Sequence, residues 1–222
     1  MSSRIDRLVA KLKKFYGALP PPPADPFTLF VWEILSNHST QKKRAAAMAA
    51  LKKYGALTPD GMWNCAPRKI EKSIALAGPY TAQRIQGLKK GIEAFRRNPD
   101  LSSAIKGPMP GALRALKGIP LMGEGGGYRM LLFPGEQPVL PVDARVARVA
   151  TRLGYGEKSD NFGKTAKSIR EAVARQASTS LKTYREMYVY FEHHGTTTCT
   201  ETDPRCGKCP LLKDCSFGQA RT

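Results

Sequence analysis

Long apolar runs are missing from this chain of 222 residues. Nowhere do the roughly 18 consecutive apolar residues of a transmembrane helix occur. The opening stretch, MSSRIDRLVAKLKKFYG, sets charges among its apolar residues. It therefore lacks the uninterrupted apolar segment of a secretory signal, and Asp6 and the want of a Ser/Arg-rich extension speak against an organelle transit peptide. A cytoplasmic protein with no membrane partner is expected. Aromatic residues make up only 8%, too few to suggest a stacking platform for single strands. Strand-like alternation is almost absent, and there is no internal repeat or low-complexity tail. Acidic residues are scarce: 18 Asp and Glu face 36 Lys and Arg, giving a net charge of +18. A domain this basic usually meets a polyanion. Nucleic acid is the leading candidate and an anionic membrane surface the second, against the plain alternative of a soluble cationic surface.

What is present is helical periodicity. Ile5, Leu8, Val9, Leu12, Phe15 and Tyr16 follow i, i+3, i+4 spacing, so residues 3–17 read as an amphipathic helix ended by Pro20 to Pro23. Asp25-Pro26 reads as an N-cap with proline at the first helical position. The following FTLFVWEILS is apolar on almost every side and should run through a core. A basic helix ending near Gly55 follows, then two helices over 67–77 and 80–97, split at Gly78-Pro79. The fold class is all-α. Trp32, Trp63, His193 and His194 read as packing residues.

Only Cys65 precedes a cluster of four cysteines, Cys199, Cys206, Cys209 and Cys215, in the last 24 residues. Without an export signal, disulfides are not expected. Four thiols in a turn-rich loop stiffened by Pro204 and Pro210 suit zinc or an iron–sulfur cluster. A zinc ribbon uses two Cys-x2-Cys knuckles. Here one such knuckle is flanked by gaps of six and five. This run resembles the C-terminal 4Fe–4S loop of the endonuclease III-like family of helix-hairpin-helix DNA glycosylases, as does the approach His194-Gly195-x-x-x-Cys199. IEKSIALAGPYTAQRIQGLKKG is similar to the family's paired helices around a glycine turn. The resemblance implies a two-domain fold. A six-helix domain would span residues 25–134, and a cluster domain would combine 1–24 with 135–222. It also implies a 4Fe–4S cofactor on the four cysteines, a monomer, and a cleft for double-stranded DNA bearing a damaged or mismatched base. Arg205, Lys208 and Lys213 are then expected to meet phosphates.

Residues 112–133 read as helix, Gly/Pro hairpin, helix. Such hairpins turn backbone N–H groups toward a phosphate without reading sequence. Leu116-Lys117-Gly118-Ile119 resembles the opening of the family's hairpin. Pro120 stands where the family has its second glycine, and the hairpin is about three residues longer by alignment to the family motif, carrying the run Gly123-Glu124-Gly125-Gly126-Gly127. Lys117, Gly118, Gly123, Gly125, Gly126 and Gly127 are the expected phosphate contacts.

Leu140-Pro141-Val142-Asp143 leads into a helix on which Arg145, Arg148 and Arg152 form a basic ridge. Taken alone, Asp143 reads as an N-cap. The segment resembles the family's Val-Asp and basic helix, which implies that Asp143 is the essential carboxylate, with Arg145 and Arg148 on DNA. The lysine that makes family members bifunctional has no counterpart: one register puts Met122 there, the other Gly125, and Lys117 lies on the wrong side of the hairpin. A monofunctional glycosylase using water is expected. The alternatives are a bifunctional glycosylase/lyase using another amine, or a catalytically silent lesion-binding protein. Where the family reads Leu-Ser-x-Gln-x-x-Asp, this chain has Leu35-Ser36-Asn37-His38-Ser39-Thr40-Gln41. That implies Asn37, His38 and Gln41 as base-pocket or wedge residues.

Overall fold

The computed structural model describes residues 3–119, 123–176 and 180–222, and every regular element among them is helical. The first helices are α1 (Arg4–Tyr16), α2 (Pro26–Ser36), α3 (Gln41–Lys53), α4 (Pro59–Asn64) and α5 (Pro67–Ala75). Next come α6 (Thr81–Arg97), α7 (Leu101–Ala104), α8 (Met109–Leu116), α9 (Glu124–Leu132) and α10 (Ala144–Arg152). The chain ends with α11 (Phe162–Gln176), α12 (Leu181–Thr197) and α13 (Ser216–Gln219), with two 3-10 turns before α13. Among the described residues, no helix is long and apolar enough to cross a membrane. Two compact units emerge: Met1–Pro21 with Glu136–Thr222, and Pro22–Gly135.

In the first unit, a capping box starts α1. Ser3 Oγ accepts from the Asp6 amide at 3.1 Å, and an Asp6 carboxylate oxygen accepts from the Ser3 amide at 3.0 Å. The helix buries Ile5, Leu8, Val9 and Leu12, each worth about 1.5–3 kcal/mol relative to exposure. It packs on α12, which also packs on α10. Arg4 donates to the carbonyls of Leu153 and Asp214, both at 3.0 Å, tying the start of the chain to the cysteine loop.

In the second unit, α2 has its N-cap at Asp25, which accepts from the Thr28 amide at 2.7 Å. It buries Phe27, Leu29, Phe30, Val31, Ile34 and Leu35, as its nearly uniform apolarity requires. The α6 helix closes tightly on it, because a Cβ at Gly91 would lie 1.9 Å from the Phe30 ring. Trp63 corrects a sequence expectation. It is 56% exposed, with the Arg96 guanidinium 4.5 Å from its ring centre. The α4 helix is too short to carry both Met62 and Trp63 inward, and Met62 takes the buried place. Trp32 is half-buried under Arg44.

Candidate functional site

Asp143 is the N-cap of α10. Pro141 and Val142 are buried and place it at the helix start with extended backbone, φ −104° and ψ 179°. Its Oδ1 accepts from the amides of Arg145 and Val146, both at 3.0 Å. Two amide donors and the positive end of the helix make a favourable place for a negative charge. The carboxylate is half-buried. Its helix is seated by Val146, Ala147, Val149 and Ala150. Gly195 of α12 has a packing reason for lacking a side chain: a Cβ there would meet Arg145 Cβ at 2.9 Å and its carbonyl oxygen at 3.0 Å.

The three arginines of α10 do not form the expected ridge. Arg145 is half-exposed and pairs with Glu192 at 3.1 Å. Arg148, expected on phosphate, is turned inward instead: Nε donates to the Cys199 carbonyl at 2.8 Å and Nη2 to the Gly195 carbonyl at 2.6 Å. Arg152 Nη1 donates to Cys199 Sγ at 3.2 Å and to the Thr200 carbonyl at 2.8 Å, and its guanidinium lies 4.1 Å from the Phe217 ring centre. The reason is spacing along the helix. Positions 148 and 152 share the face of α10 toward the loop after α12, whose carbonyls need donors.

Cys199, Cys206, Cys209 and Cys215 line one pocket together with Val149, Leu153, His194, Leu211 and Phe217. The amides of Leu211 and Gly218 point at the sulfurs of Cys209 and Cys215, each at 3.4 Å. His194 is buried, with Nε2 3.6 Å from Cys209 Sγ and Nδ1 2.7 Å from the Tyr16 hydroxyl. Burial, and then the neighbouring His193, lower the His194 pKa to about 4. Burial pushes the Cys209 thiol up to about 11 and raises Cys199 against the pull of Arg152. Among the described residues, no three His, Cys, Asp or Glu side chains converge as ligands of a single ion. Arg205 and Lys208 are exposed and border a second pocket with Arg221. Lys213 is also exposed.

In the other unit, α8 ends at an exposed Lys117 and Gly118, while Ile119 is buried. Pro120 and Met122 lie outside the described residues. The glycine run is not the turn that its composition predicts. Gly123 is the N-cap, and Gly125, Gly126 and Gly127 form the first turns of α9, with the Gly127 amide bonded to the Gly123 carbonyl at 3.1 Å. Gly123 is exposed, Gly125 and Gly127 are half-buried, and Gly126, also expected on phosphate, is buried. Packing overrides the low helix propensity of glycine here. Arg129 forks onto Glu33 of α2, with Nη2 to Oε2 at 2.6 Å and Nε bonded to Oε1, and both side chains are nearly buried. Sequence reasoning missed this pair, because 96 positions separate its members.

Asn37 ends α2, and His38 follows with φ 50°. Both are exposed and line a pocket with Ile34, Tyr80, Gln83 and Arg84. Gln41 does not border that pocket; it is the exposed first residue of α3. Tyr80 was missed. It is 51% exposed, has φ 71°, and its ring centre stands 5.0 Å from that of His38. The Gly78-Pro79 break was its only sequence signal.

No protein-family model matches the chain. Among curated proteins it is similar to endonuclease III homolog 2, chloroplastic, of Arabidopsis thaliana, with 25% identity over 200 residues, covering 90% of this chain and 50% of that protein. The chain thus spans about half the length of that plant relative. It is also similar to endonuclease III of Treponema pallidum, with 27% identity over 195 residues, covering 85% of this chain and 82% of that protein. Two solved structures share the fold. A non-covalent endonuclease III–DNA complex gives a TM-score of 0.73 at 20% identity, over 98% of this chain and 96% of that one. A thermostable thymine-DNA glycosylase gives 0.73 at 19% identity, over 97% of each chain.

Proposed function

We propose that the chain, similar over most of its length to endonuclease III proteins, is a member of the endonuclease III-like family of helix-hairpin-helix DNA glycosylases, and that it is a DNA N-glycosylase that flips out and removes a damaged or mismatched base from double-stranded DNA. The observation that carries this reading is Asp143, a half-buried carboxylate fixed by two amides at a helix start. Breaking an N-glycosidic bond builds positive charge on the sugar, as in other glycoside cleavage. A pre-oriented carboxylate stabilises that charge and can take a proton from an attacking water. The cost of extruding the base is least where the pair is already damaged or mismatched.

Water is the nucleophile in this reading. The position of the family's lysine falls on Met122 when counted from Gly118 and on Gly125 when counted back from Asp143; neither has an amine, and Lys117 caps α8 instead. Lyase activity is therefore weak or absent. The net charge of +18 and the exposed Arg205, Lys208 and Lys213 support phosphate binding. The four cysteines fit a 4Fe–4S cluster. Their sulfurs share one pocket and receive N–H groups from Leu211, Gly218 and Arg152. Cys199, Cys206, Cys209 and Cys215 would each supply one thiolate to such a cluster. The cluster would supply a cross-link that orders the loop, while Arg152, Arg148 and His194 brace its ligands.

A panel of lesion-bearing duplexes, scored for base release with and without alkaline cleavage, tests the reading. Release from at least one lesion is expected, with strand breaks appearing only after alkali. No release from any lesion would leave a silent lesion-binding protein. Efficient borohydride trapping on an abasic duplex would point to an amine nucleophile and the bifunctional alternative. Material purified without oxygen should be brown and contain iron and sulfide. Folded, colourless, iron-free protein would remove the cluster from the account.

A further inference from the structure

Arg84 is only 4% exposed, and among the described residues no carboxylate pairs with it. Its partners are backbone carbonyls alone. Nη1 donates to Gly78 at 3.0 Å and Pro79 at 2.5 Å, and Nη2 donates to Asn37 at 2.5 Å. Its Nε is buried with no partner. A buried cation without a counter-charge is costly, so the arrangement must be held by what surrounds it. The carbonyls it grips belong to two loops, and each loop carries one non-glycine residue in the left-handed region, His38 at φ 50° and Tyr80 at φ 71°. Such a conformation is strained for a residue with a side chain. Both strained residues send exposed rings out side by side, with centres 5.0 Å apart and planes tilted by 50°.

A strained, clamped and outward-facing ring pair is pre-organised for a flat ligand. Resting on the DNA reading above, we propose that Arg84 is a positioning residue: it locks the Asn37–His38 and Gly78–Tyr80 loops so that Tyr80, backed by His38, stacks on an unstacked base of the lesion-bearing duplex. An aromatic face stacks on any base, so the pair would favour disrupted over intact duplex without choosing a base. Arg84 itself touches no DNA.

The test is a double-mutant cycle on binding to two duplexes, one undamaged and one with a tetrahydrofuran abasic analogue. The readout is the ratio of the two dissociation constants. Tyr80→Ala is expected to lower that ratio about ten-fold, the loss of one stack. Arg84→Met should lower it about as much, and the double variant should lose nothing further. Arg84→Lys, which keeps the charge but reaches fewer carbonyls, should recover part of the loss, and it carries the same cycle if Arg84→Met does not fold. Full discrimination by folded Arg84 variants, or losses that add to that of Tyr80→Ala, would overturn the proposal while leaving the glycosylase reading intact. If the unaltered protein fails to distinguish the two duplexes, the glycosylase reading falls as well.

Discussion

In the unit built from Met1–Pro21 and Glu136–Thr222, arginines brace the cysteine loop together. Arg148 holds the carbonyls of Gly195 and Cys199, Arg152 reaches Cys199 Sγ and Thr200, and Arg4 reaches Asp214. In the unit Pro22–Gly135, buried arginines act at separate places. Arg129 fixes α9 to α2 through Glu33, and Arg84 fixes two loops through their carbonyls. The first arrangement shares its load among several donors and four thiols. The second hangs each feature on one side chain. Damage to a single residue should therefore be felt more sharply in the second unit than at the braced loop.

Glu33→Gln is the strongest way to break that contrast. It removes the carboxylate charge that faces the nearly buried Arg129, and removal of one member of a buried pair typically costs about 3–5 kcal/mol. Chemical denaturation should show a loss of that size. A loss under about 1 kcal/mol would mean that the pair behaves as a surface bridge. Gly195→Ala sharpens the comparison from the other side. The added methyl must displace Arg145 at the start of α10, an overpacking cost of about 1–3 kcal/mol. Base release should fall together with stability, because Asp143 is carried on the displaced turn; unchanged release would separate α10 from the chemistry. The smallest effect concerns Asp6. Its pKa is lowered, chiefly by the Ser3 hydrogen bond. The bond's contribution is present above the unfolded carboxylate pKa, about 3.9, and is lost as pH falls through the lower folded value. Ser3→Ala should cost about 1 kcal/mol at pH 6 and less at pH 3, as read from urea midpoints. Equal costs at both pH values would contradict the capping-box assignment.

The two units were also unequally legible. The cysteine loop and Asp143 announce themselves through short spacings and a Pro-Val-Asp start, and helix periodicity revealed α1, α2, α3, α5 and α6 to within a few residues. What stayed hidden depends on contacts distant in sequence. The glycine run reads as a turn because glycine resists helix, yet α9 includes it, anchored through Arg129 on Glu33. Arg148 and Arg152 read as a ridge for phosphate because charge normally faces solvent. Only the loop's need for donors turns them inward. Tyr80 and Arg84 carry no motif, and their roles come from the backbone strain and burial that folding imposes.

Single-turnover base release by the unaltered protein and by Asp143→Asn, on the lesion that the unaltered protein processes best, tests the central claim most directly. The amide keeps the oxygen that accepts from Arg145 and Val146 and keeps the fold, but it carries no charge to offset the sugar's and cannot take a proton from water. Release should slow by about 100- to 10,000-fold, with duplex affinity changed far less. Release at the unaltered rate by a folded Asp143→Asn protein would contradict the account.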